Sequence, residues 1–161
     1  MNIVLRIIII TAATILMSCA EKTKPTFSKQ VGIPIEGTWR LITGTTIEKG
    51  TATVIHYTKN QSFIKIINDT HFAFLQHDLS KGKDSVASFS SGGGSYTLKD
   101  SLYTEHLEYC SAREWEDNDF SFTVSIKSDT LIQSGIEKIE AEGVNRINIE
   151  KYVRLKSQIK N

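Results

Sequence analysis

The segment Phe120–Ile126 reads "FSFTVSI" and alternates apolar with polar side chains at every position. Successive side chains of a β-strand point to opposite faces of the sheet, so this alternation predicts a strand with one buried face and one solvated face. The predicted buried face consists of Phe120, Phe122, Val124 and Ile126, and the solvated face of Ser121, Thr123 and Ser125.

Similar patterns recur along the chain after Ile35, where β-branched and aromatic runs alternate with short turn signals and almost no helical period is present. Ten short strands within about 120 residues are typical of an all-β sandwich or barrel. The predicted strands are Thr38–Ile47, Thr51–Thr58, Phe63–Ile67, His71–His77, Ser85–Ser90, Ser95–Leu98, Ser101–Cys110, Phe120–Ile126, Thr130–Ser134 and Arg146–Leu155.

Three tight hairpin turns are predicted, at Asn68-Asp69, Lys99-Asp100 and Ser128-Asp129. Such turns join antiparallel neighbours and indicate an up-and-down strand order. A single open sheet would expose an apolar face and two unpaired edges, whereas a barrel hides both. We therefore predict one antiparallel up-and-down β-barrel of about eight to ten strands. The glycine-rich stretch Ser88–Ser95 is expected to form a loop or a sharp bend.

Composition limits the classes of function. The 161-residue chain is 40% hydrophobic and 23% charged, as an ordinary globular protein is, and its length suits one domain. The formal net charge is +1, and loss of Arg6 with a signal peptide would leave 18 basic residues against 18 acidic ones. A nucleic-acid-binding domain normally carries a basic excess, so no nucleic-acid partner is expected.

The first twenty residues, "MNIVLRIIIITAATILMSCA", combine one arginine, an apolar run and small residues at the end. This order predicts a secretory signal, and the run is shorter than the roughly 20 apolar residues of a membrane-spanning helix. The tetrapeptide Leu16–Cys19 resembles the bacterial lipobox. The resemblance implies cleavage before Cys19 and attachment of acyl chains, such as palmitate, to that residue. An ordinary cleaved signal that leaves no lipid on Cys19 is the alternative.

We expect a signal peptide at 1–18, a lipidated Cys19 and flexible tether at 19–34, the barrel at 35–156, and a polar tail at 157–161. The lipid would be the membrane partner, and a monomer is expected. The predicted location is the cell envelope. The outer membrane is favoured because Ala20 follows Cys19 in place of the aspartate that retains many lipoproteins at the inner membrane.

The motif "GTWRL" at Gly37–Leu41 resembles the Gly-x-Trp motif that opens the first strand of lipocalins and other calycins. With "NDTHFAF", "GGGSYTL", "YTEHLEYC", "KSDTLIQSG" and "INIEKYVRLK", the chain is similar to lipocalin-like lipoprotein domains common in Bacteroidetes over residues 35 to 156. In lipocalins the motif tryptophan plugs the closed barrel end and an arginine of the last strand lies across its ring. The resemblance implies these roles for Trp39 and Arg154, the alternative being a core tryptophan and a solvated arginine.

The segment "YTEHLEYC", Tyr103–Cys110, contains two tyrosines, two glutamates, a histidine and a cysteine. The period of two places Tyr103, Glu105 and Tyr109 on the more apolar face, which we predict to be interior, and His106 and Glu108 in water. The predicted hairpin sets Tyr96 opposite Tyr103 on the interior face. A buried Glu105 would need a tyrosine hydroxyl, His71 or a lysine as its partner.

Two chemical alternatives depend on the same strands. His106, Glu108 and Cys110 alternate as metal ligands on a strand can, yet no second histidine lies nearby, and neither a metal nor another cofactor is expected. Glu105 and His71 are the one candidate acid–base pair for catalysis, provided that both side chains point inward. An enzyme is therefore the least favoured class, and no catalytic residue is assigned.

Two non-catalytic functions stay open. The first is a lipid-anchored barrel that binds a small apolar or amphipathic ligand in a cavity lined by His71, Tyr96, Tyr103, Glu105 and Tyr109. The second is a structural or protein-interaction lipoprotein with a filled barrel, whose partner docks on the rim or on Ser111–Phe120. A cavity of roughly 300 Å³ or more would favour the first.

Overall fold

The computed structural model describes residues 32–83, 85 and 87–156, and within them the chain forms ten β-strands and two single-turn 3-10 helices. The predicted signal peptide, Cys19, nearly all of the predicted tether and the C-terminal tail lie outside the described residues. The strands are β1 Gly37–Glu48, β2 Thr51–His56, β3 Gln61–Ile67, β4 His71–Asp78, β5 Phe89–Lys99, β6 Leu102–Leu107, β7 Tyr109–Cys110, β8 Asn118–Lys127, β9 Thr130–Ile139 and β10 Val144–Arg154. The 3-10 helices are Arg113–Trp115 and Glu140–Glu142.

Eight of these strands close into an antiparallel barrel, which confirms the predicted all-β up-and-down fold. The order around the barrel is β1, β3, β4, β5, β6, β8, β9 and β10, and β10 pairs back onto β1. Two further strands lie outside the ring of eight: β2 pairs with the second half of β1, and β7 pairs with β5. Closure gives the eight ring strands a neighbour on each side, which removes the open edges of a sheet.

The glycine-rich stretch does not form the predicted loop, because its residues from Phe89 onward begin one long strand, β5. In β5 a Cβ atom on Gly93 would lie 2.5 Å from the carbonyl oxygen of Phe72, and one on Gly94 would overlap the carbonyl oxygen of His106. Neighbouring backbones thus approach β5 on both sides at a distance that only glycine permits. The stretch therefore tightens the barrel wall instead of interrupting it.

In strand β1 the inward-facing positions shift by one residue at an irregularity between Leu41 and Thr43. Trp39 and Leu41 are fully buried before it, whereas Gly44 and Thr46 face the barrel interior after it. An extra residue in one strand shifts the alternation by one position. Strict alternation from Trp39 onward would therefore assign the second half of β1 to the wrong face.

The predicted turn at Ser128-Asp129 is confirmed, since Lys127 pairs with Thr130 across it. The hairpin between β3 and β4, in contrast, turns one residue later than predicted, because Ile67 pairs with Phe72. Ile67 is buried and Ile66 is exposed.

The hairpin between β5 and β6 behaves in the same way. Its turn residues are Asp100 and Ser101, and Asp100 adopts a left-handed conformation with φ of 54°. Tyr96 therefore pairs with Glu105 instead of Tyr103. Because the pairing moves by two residues, each side chain keeps its predicted face.

One buried cluster of apolar side chains forms the core, and it includes Trp39 at the closed end as well as part of the cavity wall. Its members come from all parts of the chain, so the core depends on barrel closure rather than on local contacts. The inward face of β8 supplies Phe120, Phe122 and Val124, as the alternation of "FSFTVSI" predicts. The largest side chains that are completely buried are Trp39, Tyr103, Tyr152, Ile35, Leu41 and Leu131.

Candidate functional site

One end of the barrel is closed by Trp39 and Arg154. The Trp39 indole is fully buried and its Nε1 donates a hydrogen bond to the carbonyl oxygen of Ile35 at 2.7 Å. The Arg154 guanidinium lies over the indole with its Cζ 4.0 Å from the ring centroid, within the range of a cation–π contact. Its two terminal nitrogens donate to the carbonyl oxygens of Glu36 and Pro34. The guanidinium therefore binds the backbone of the segment that precedes β1 while it covers the tryptophan.

The glycine of the Gly-x-Trp motif has its own role in this closure. Gly37 has φ of 134°, a conformation that favours glycine, and a Cβ atom there would lie 2.5 Å from Arg154 Nη1. Glycine at this position thus leaves the space that the guanidinium occupies. The geometry explains why the motif needs glycine two residues before the tryptophan.

A cavity of about 250 Å³ occupies the other half of the barrel. Its walls are mainly aromatic and aliphatic, and its charged side chains converge from β3, β6, β9 and β10. The lining side chains that enter the reasoning below are Thr46, Tyr57, Phe63, Lys65, Phe74, Glu105, Cys110, Trp115, Gln133, Glu137, Arg146, Asn148, Glu150 and Tyr152.

The floor of the cavity is built around Lys65, whose side chain is only 3% exposed. Its ammonium group lies 2.5 Å from Glu105 Oε1 and donates a second hydrogen bond to Gln133 Oε1 at 3.1 Å. A buried charge needs an opposite charge and further hydrogen bonds to offset its loss of hydration. Glu105 supplies the opposite charge and Gln133 supplies the further hydrogen bond. Lys65 is therefore the partner of Glu105 inside the barrel.

Three aromatic rings surround the same ammonium group. Lys65 Nζ lies 5.5 Å from the ring centroid of Phe72, 5.8 Å from that of Tyr103 and 5.6 Å from that of Tyr152. The negative faces of aromatic rings attract a cation most strongly where water is excluded. The rings thus add to the stabilisation that the ion pair gives Lys65.

A second ion pair lies nearer the open end. Glu137 accepts a hydrogen bond from Arg146 Nε at 2.7 Å and another from Asn148 Nδ2 at 2.7 Å. The Arg146 guanidinium also lies over the Trp115 ring, 5.4 Å from its centroid. Trp115 belongs to the 3-10 helix Arg113–Trp115, so the segment Ser111–Phe120 contributes to the wall of the cavity.

Glu150 is the third carboxylate in the cavity. Its side chain lies inside the barrel and is partly exposed, because it faces the cavity. Burial raises the pKa of this carboxyl, while the charge of Lys65 and a 2.8 Å hydrogen bond from the Tyr152 hydroxyl oppose the rise. Burial together with the charge of Glu150 also raises the pKa of the neighbouring Tyr57 phenol.

Tyr103 and Tyr96 face the barrel interior as predicted, but the prediction that they line the cavity is wrong, because they lie together at the floor on its side away from the cavity. Tyr103 is 1% exposed, Tyr96 is half-buried, and their ring centroids are 5.1 Å apart. Desolvation, and to a lesser extent the charge of Glu105, raise the pKa of the Tyr103 phenol far above its usual range. No described group forms a hydrogen bond with the buried Tyr103 hydroxyl in suitable geometry, Glu105 included. The Tyr96 hydroxyl donates to the carbonyl oxygen of Asn68 at 2.7 Å.

The predicted position of Tyr109 is wrong. Its side chain is 67% exposed, because the pairing with β5 shifts by one residue between Glu105 and Tyr109. Such a bulge inverts the alternation beyond it. Tyr109 consequently points into solvent, and Cys110 takes its place on the cavity wall.

His71 also differs from its predicted position. It is exposed, and its Nδ1 lies 2.8 Å from the hydroxyl of Thr70. The interior face of β4 carries Phe72 and Phe74, which offer more apolar area for burial than His71 and its neighbours on the other face. The proposed acid–base pair of Glu105 and His71 is therefore divided between the interior and the exterior of the barrel.

The candidate metal ligands do not converge. His106 is exposed and its Nδ1 lies 2.8 Å from Asp119 Oδ1, while Glu108 accepts a hydrogen bond from the backbone of Ser95. Cys110 lines the cavity. No group of three or more His, Cys, Asp or Glu side chains within 32–83, 85 and 87–156 is arranged to hold a metal ion.

The sequence reasoning missed most of the interior polar side chains. The missed residues are Lys65, Gln133, Glu137, Arg146, Asn148 and Glu150. One signal was present in the last strand: residues two apart share a face, so placing Arg154 over Trp39 also places Tyr152 and Glu150 inward. No comparable signal marks Lys65, since a lysine in an apolar strand usually indicates the solvated face.

These features define the class of protein: a small closed antiparallel β-barrel, sealed at one end by an arginine over a buried tryptophan and containing a cavity with a polar floor. Among the described residues no helix has the length and apolar character needed to cross a membrane.

Comparisons with known proteins give a limited picture. No protein-family model matches the chain, and no curated protein matches it. The chain is similar to the crystal structure of a lipocalin-like protein from Bacteroides uniformis, with a TM-score of 0.46 and 15% identity over 74% of this chain and 97% of that one. It is also similar to an uncharacterized protein from Bacteroides eggerthii, with a TM-score of 0.42 and 14% identity over 74% of this chain and 98% of that one.

Replacement of Glu150 by glutamine is expected to make the protein more resistant to heat at pH 8 and to have little effect at pH 4. The native carboxyl has a pKa above its ordinary value of 4.5, so folding favours its protonated form. Its contribution to stability is therefore fully present below pH 4.5 and is lost as the pH rises through the raised pKa. Glutamine stays neutral and can still accept the hydrogen bond from Tyr152.

Thermal unfolding between pH 4 and pH 8 measures this effect. The exposed Glu142, on the 3-10 helix Glu140–Glu142, provides the control substitution Glu142→Gln, for which no such trend is expected. A difference between Glu150→Gln and the wild type that stays constant or shrinks as the pH rises would show that the Glu150 carboxyl is not destabilised by burial.

Proposed function

We propose that this protein is a lipid-anchored envelope lipoprotein whose barrel binds one small amphipathic ligand. The observation that carries the binding function is the cavity itself: about 250 Å³ of space between aromatic walls and a polar floor, inside an otherwise well-packed barrel. Ligand sites combine apolar walls with a few placed polar groups in this way.

The size of the cavity limits the ligand. Sites for drug-sized molecules span roughly 300–1,000 Å³. The value of 250 Å³ does not reach the roughly 300 Å³ expected above for a ligand site, so the cavity supports only a small molecule with a single ring or a short chain. The stacked rings of Phe63 and Phe74, with centroids 5.7 Å apart, offer a flat apolar wall for it.

Filling the cavity with protein atoms is expected to abolish ligand binding. Thr46 on β1 lines the cavity, so Thr46→Phe would place a ring inside it, whereas Thr45→Phe places the same ring on the outer face of the same strand. Binding is measured with the chain from Ala20 onward, which contains the whole described barrel, by native mass spectrometry and by titration with small aromatic and aliphatic ligands.

The wild type and Thr45→Phe should show the same co-purified molecule or saturable binding, and Thr46→Phe should show neither. Absence of any bound molecule and of saturable binding in the wild type would instead support the alternative of a structural or protein-interaction lipoprotein. Equal binding by both variants would show that the ligand binds outside this cavity.

The membrane anchor is a separate part of the proposal, supported by the lipobox-like Leu16–Cys19. We expect cells given labelled palmitate to incorporate the label into the wild type, which should fractionate with the outer membrane. Cys19→Ser should carry no label and should leave the membrane fraction. Ser18→Ala, which keeps a small residue before the cysteine, is the control and should behave as the wild type does. A labelled, membrane-bound Cys19→Ser protein would rule out the anchor.

A further inference from the structure

The charges that line the cavity do not balance. Two of the five charged side chains are cations, and each already has a carboxylate partner: Lys65 pairs with Glu105 at 2.5 Å and Arg146 with Glu137 at 2.7 Å. Glu150 is the remaining charge. No cation of the cavity lining is left over for it.

The hydrogen bonds of Glu150 are also incomplete. The structure gives its carboxylate one side-chain donor, the Tyr152 hydroxyl at 2.8 Å. An ionised carboxylate offers about four acceptor sites. Glu150 faces the cavity, so a molecule inside the cavity can reach the sites that remain.

We propose that the ligand of this cavity carries a protonated amine, and that the Glu150 carboxylate accepts hydrogen bonds from its ammonium group. This inference rests on the proposed function, since it assigns a chemical class to the ligand of the same cavity. The apolar part of the ligand packs against the aromatic walls, where Tyr57 and Phe63 meet edge to face with centroids 5.6 Å apart and Tyr152 lies 6.4 Å from Phe63.

An anionic ligand fits this cavity poorly. It would add a second uncompensated negative charge to an enclosed space, and burial of an unpaired charge is very costly. To reach a cation, it would have to displace Glu105 from Lys65 or Glu137 from Arg146, which leaves that carboxylate without its partner. An ammonium ion instead neutralises the excess charge and gains from the aromatic rings around it.

Because the amine pairs with the Glu150 carboxylate, its binding is expected to depend on pH. An ammonium ion pairs with the ionised form of Glu150, so its affinity rises as the carboxyl loses its proton. The other titratable or charged groups that line the cavity with Glu150 lie on the loop after β2 and on β3, β6, β7, β9 and β10. They are Tyr57, Lys65, Glu105, Cys110, Glu137, Arg146 and Tyr152.

Three probes that share one ring and differ in head group test the inference. Benzylamine is cationic, benzyl alcohol is neutral and benzoate is anionic. Calorimetric titration of the chain from Ala20 onward should show benzylamine binding about tenfold more tightly than benzyl alcohol at pH 8, with benzoate weaker than the alcohol. The benzylamine affinity should fall between pH 8 and pH 5, while that of the alcohol should not.

The variant Glu150→Gln should lower benzylamine affinity by about tenfold and change benzyl alcohol affinity by less than about twofold. Glu142→Gln should leave both affinities unchanged. The pH profile of the wild type tests the same carboxylate without any substitution, so the test does not depend on the folding of the variant.

The possible failures are distinguishable. If benzyl alcohol or benzoate binds as tightly as benzylamine, or if Glu150→Gln retains full benzylamine affinity, the amine assignment is wrong while the cavity remains a ligand site. If none of the three probes binds at either pH, the amine assignment fails together with the proposed binding of small ring-containing ligands.

Discussion

Replacement of Lys65 by methionine is expected to lower the free energy of unfolding by about 3–5 kcal/mol. Methionine fills much of the same volume, so the loss comes mainly from the charge. The substitution leaves the buried Glu105 carboxylate without its partner at 2.5 Å and removes the donor to Gln133. An uncompensated charge in a barrel interior has lost its hydration and gains nothing in return.

A double-mutant cycle separates the charge from the packing. In Lys65→Met/Glu105→Leu both charges are absent, so the double variant should be clearly more stable than Lys65→Met alone. Urea unfolding followed by tryptophan fluorescence measures the four proteins of the cycle: the wild type, Lys65→Met, Glu105→Leu and the double variant.

A surface lysine provides the matched control. Lys138 also pairs with a glutamate, at 2.7 Å, but its side chain is 55% exposed. Lys138→Met should therefore cost no more than about 1 kcal/mol. A loss for Lys65→Met as small as that of Lys138→Met would show that the interior ion pair contributes little to stability.

The fold was predictable from the sequence because its signal is repeated along the chain. Alternation in segments such as "FSFTVSI" identifies strands locally, and short turns between them leave few topologies other than a meander. The need to remove open edges then favours closure. None of these steps requires knowledge of a particular contact. The closed end was predicted in a different way, from the resemblance of "GTWRL" to the lipocalin motif.

The faces of β3 and β4 were not predictable in the same way. In "FIKII" the interior face carries Phe63, Lys65 and Ile67, and the isoleucines between them face outward. A local rule assigns lysine to water, since burial of an unpaired lysine is costly. Lys65 is buried because Glu105, forty positions away in sequence, neutralises it. The pairing is a property of the closed barrel, and no window of neighbouring residues contains it.

Bulges account for the other errors in the site. Alternation predicts interior and exterior correctly only while the register holds. The register changes once in β1, after Leu41, and once beyond Glu105, before Tyr109. Tyr109 was therefore assigned to the interior, whereas the structure places it in solvent and places Cys110 on the cavity wall.

Replacement of Trp39 by alanine is expected to lower the free energy of unfolding by about 3–5 kcal/mol, because it removes the largest buried side chain and leaves a cavity at the closed end. The indole also donates to the carbonyl oxygen of Ile35, which would lose that donor. Arg154 would lose the ring that lies 4.0 Å from its Cζ atom. Chemical unfolding of the purified barrel measures the loss.

The second tryptophan provides a control of the same residue type. Trp115 is half-buried at the cavity wall, where its ring contacts Phe120 and Arg146, so Trp115→Ala should cost less than half as much as Trp39→Ala. The two substitutions should also differ in function. Trp39 lies outside the cavity lining, so Trp39→Ala should weaken the fold and leave the affinity of the folded fraction unchanged, whereas Trp115→Ala should alter the affinity. Equal losses of stability from the two variants would mean that the closed end does not hold the barrel together, and the Gly-x-Trp motif would then need another explanation.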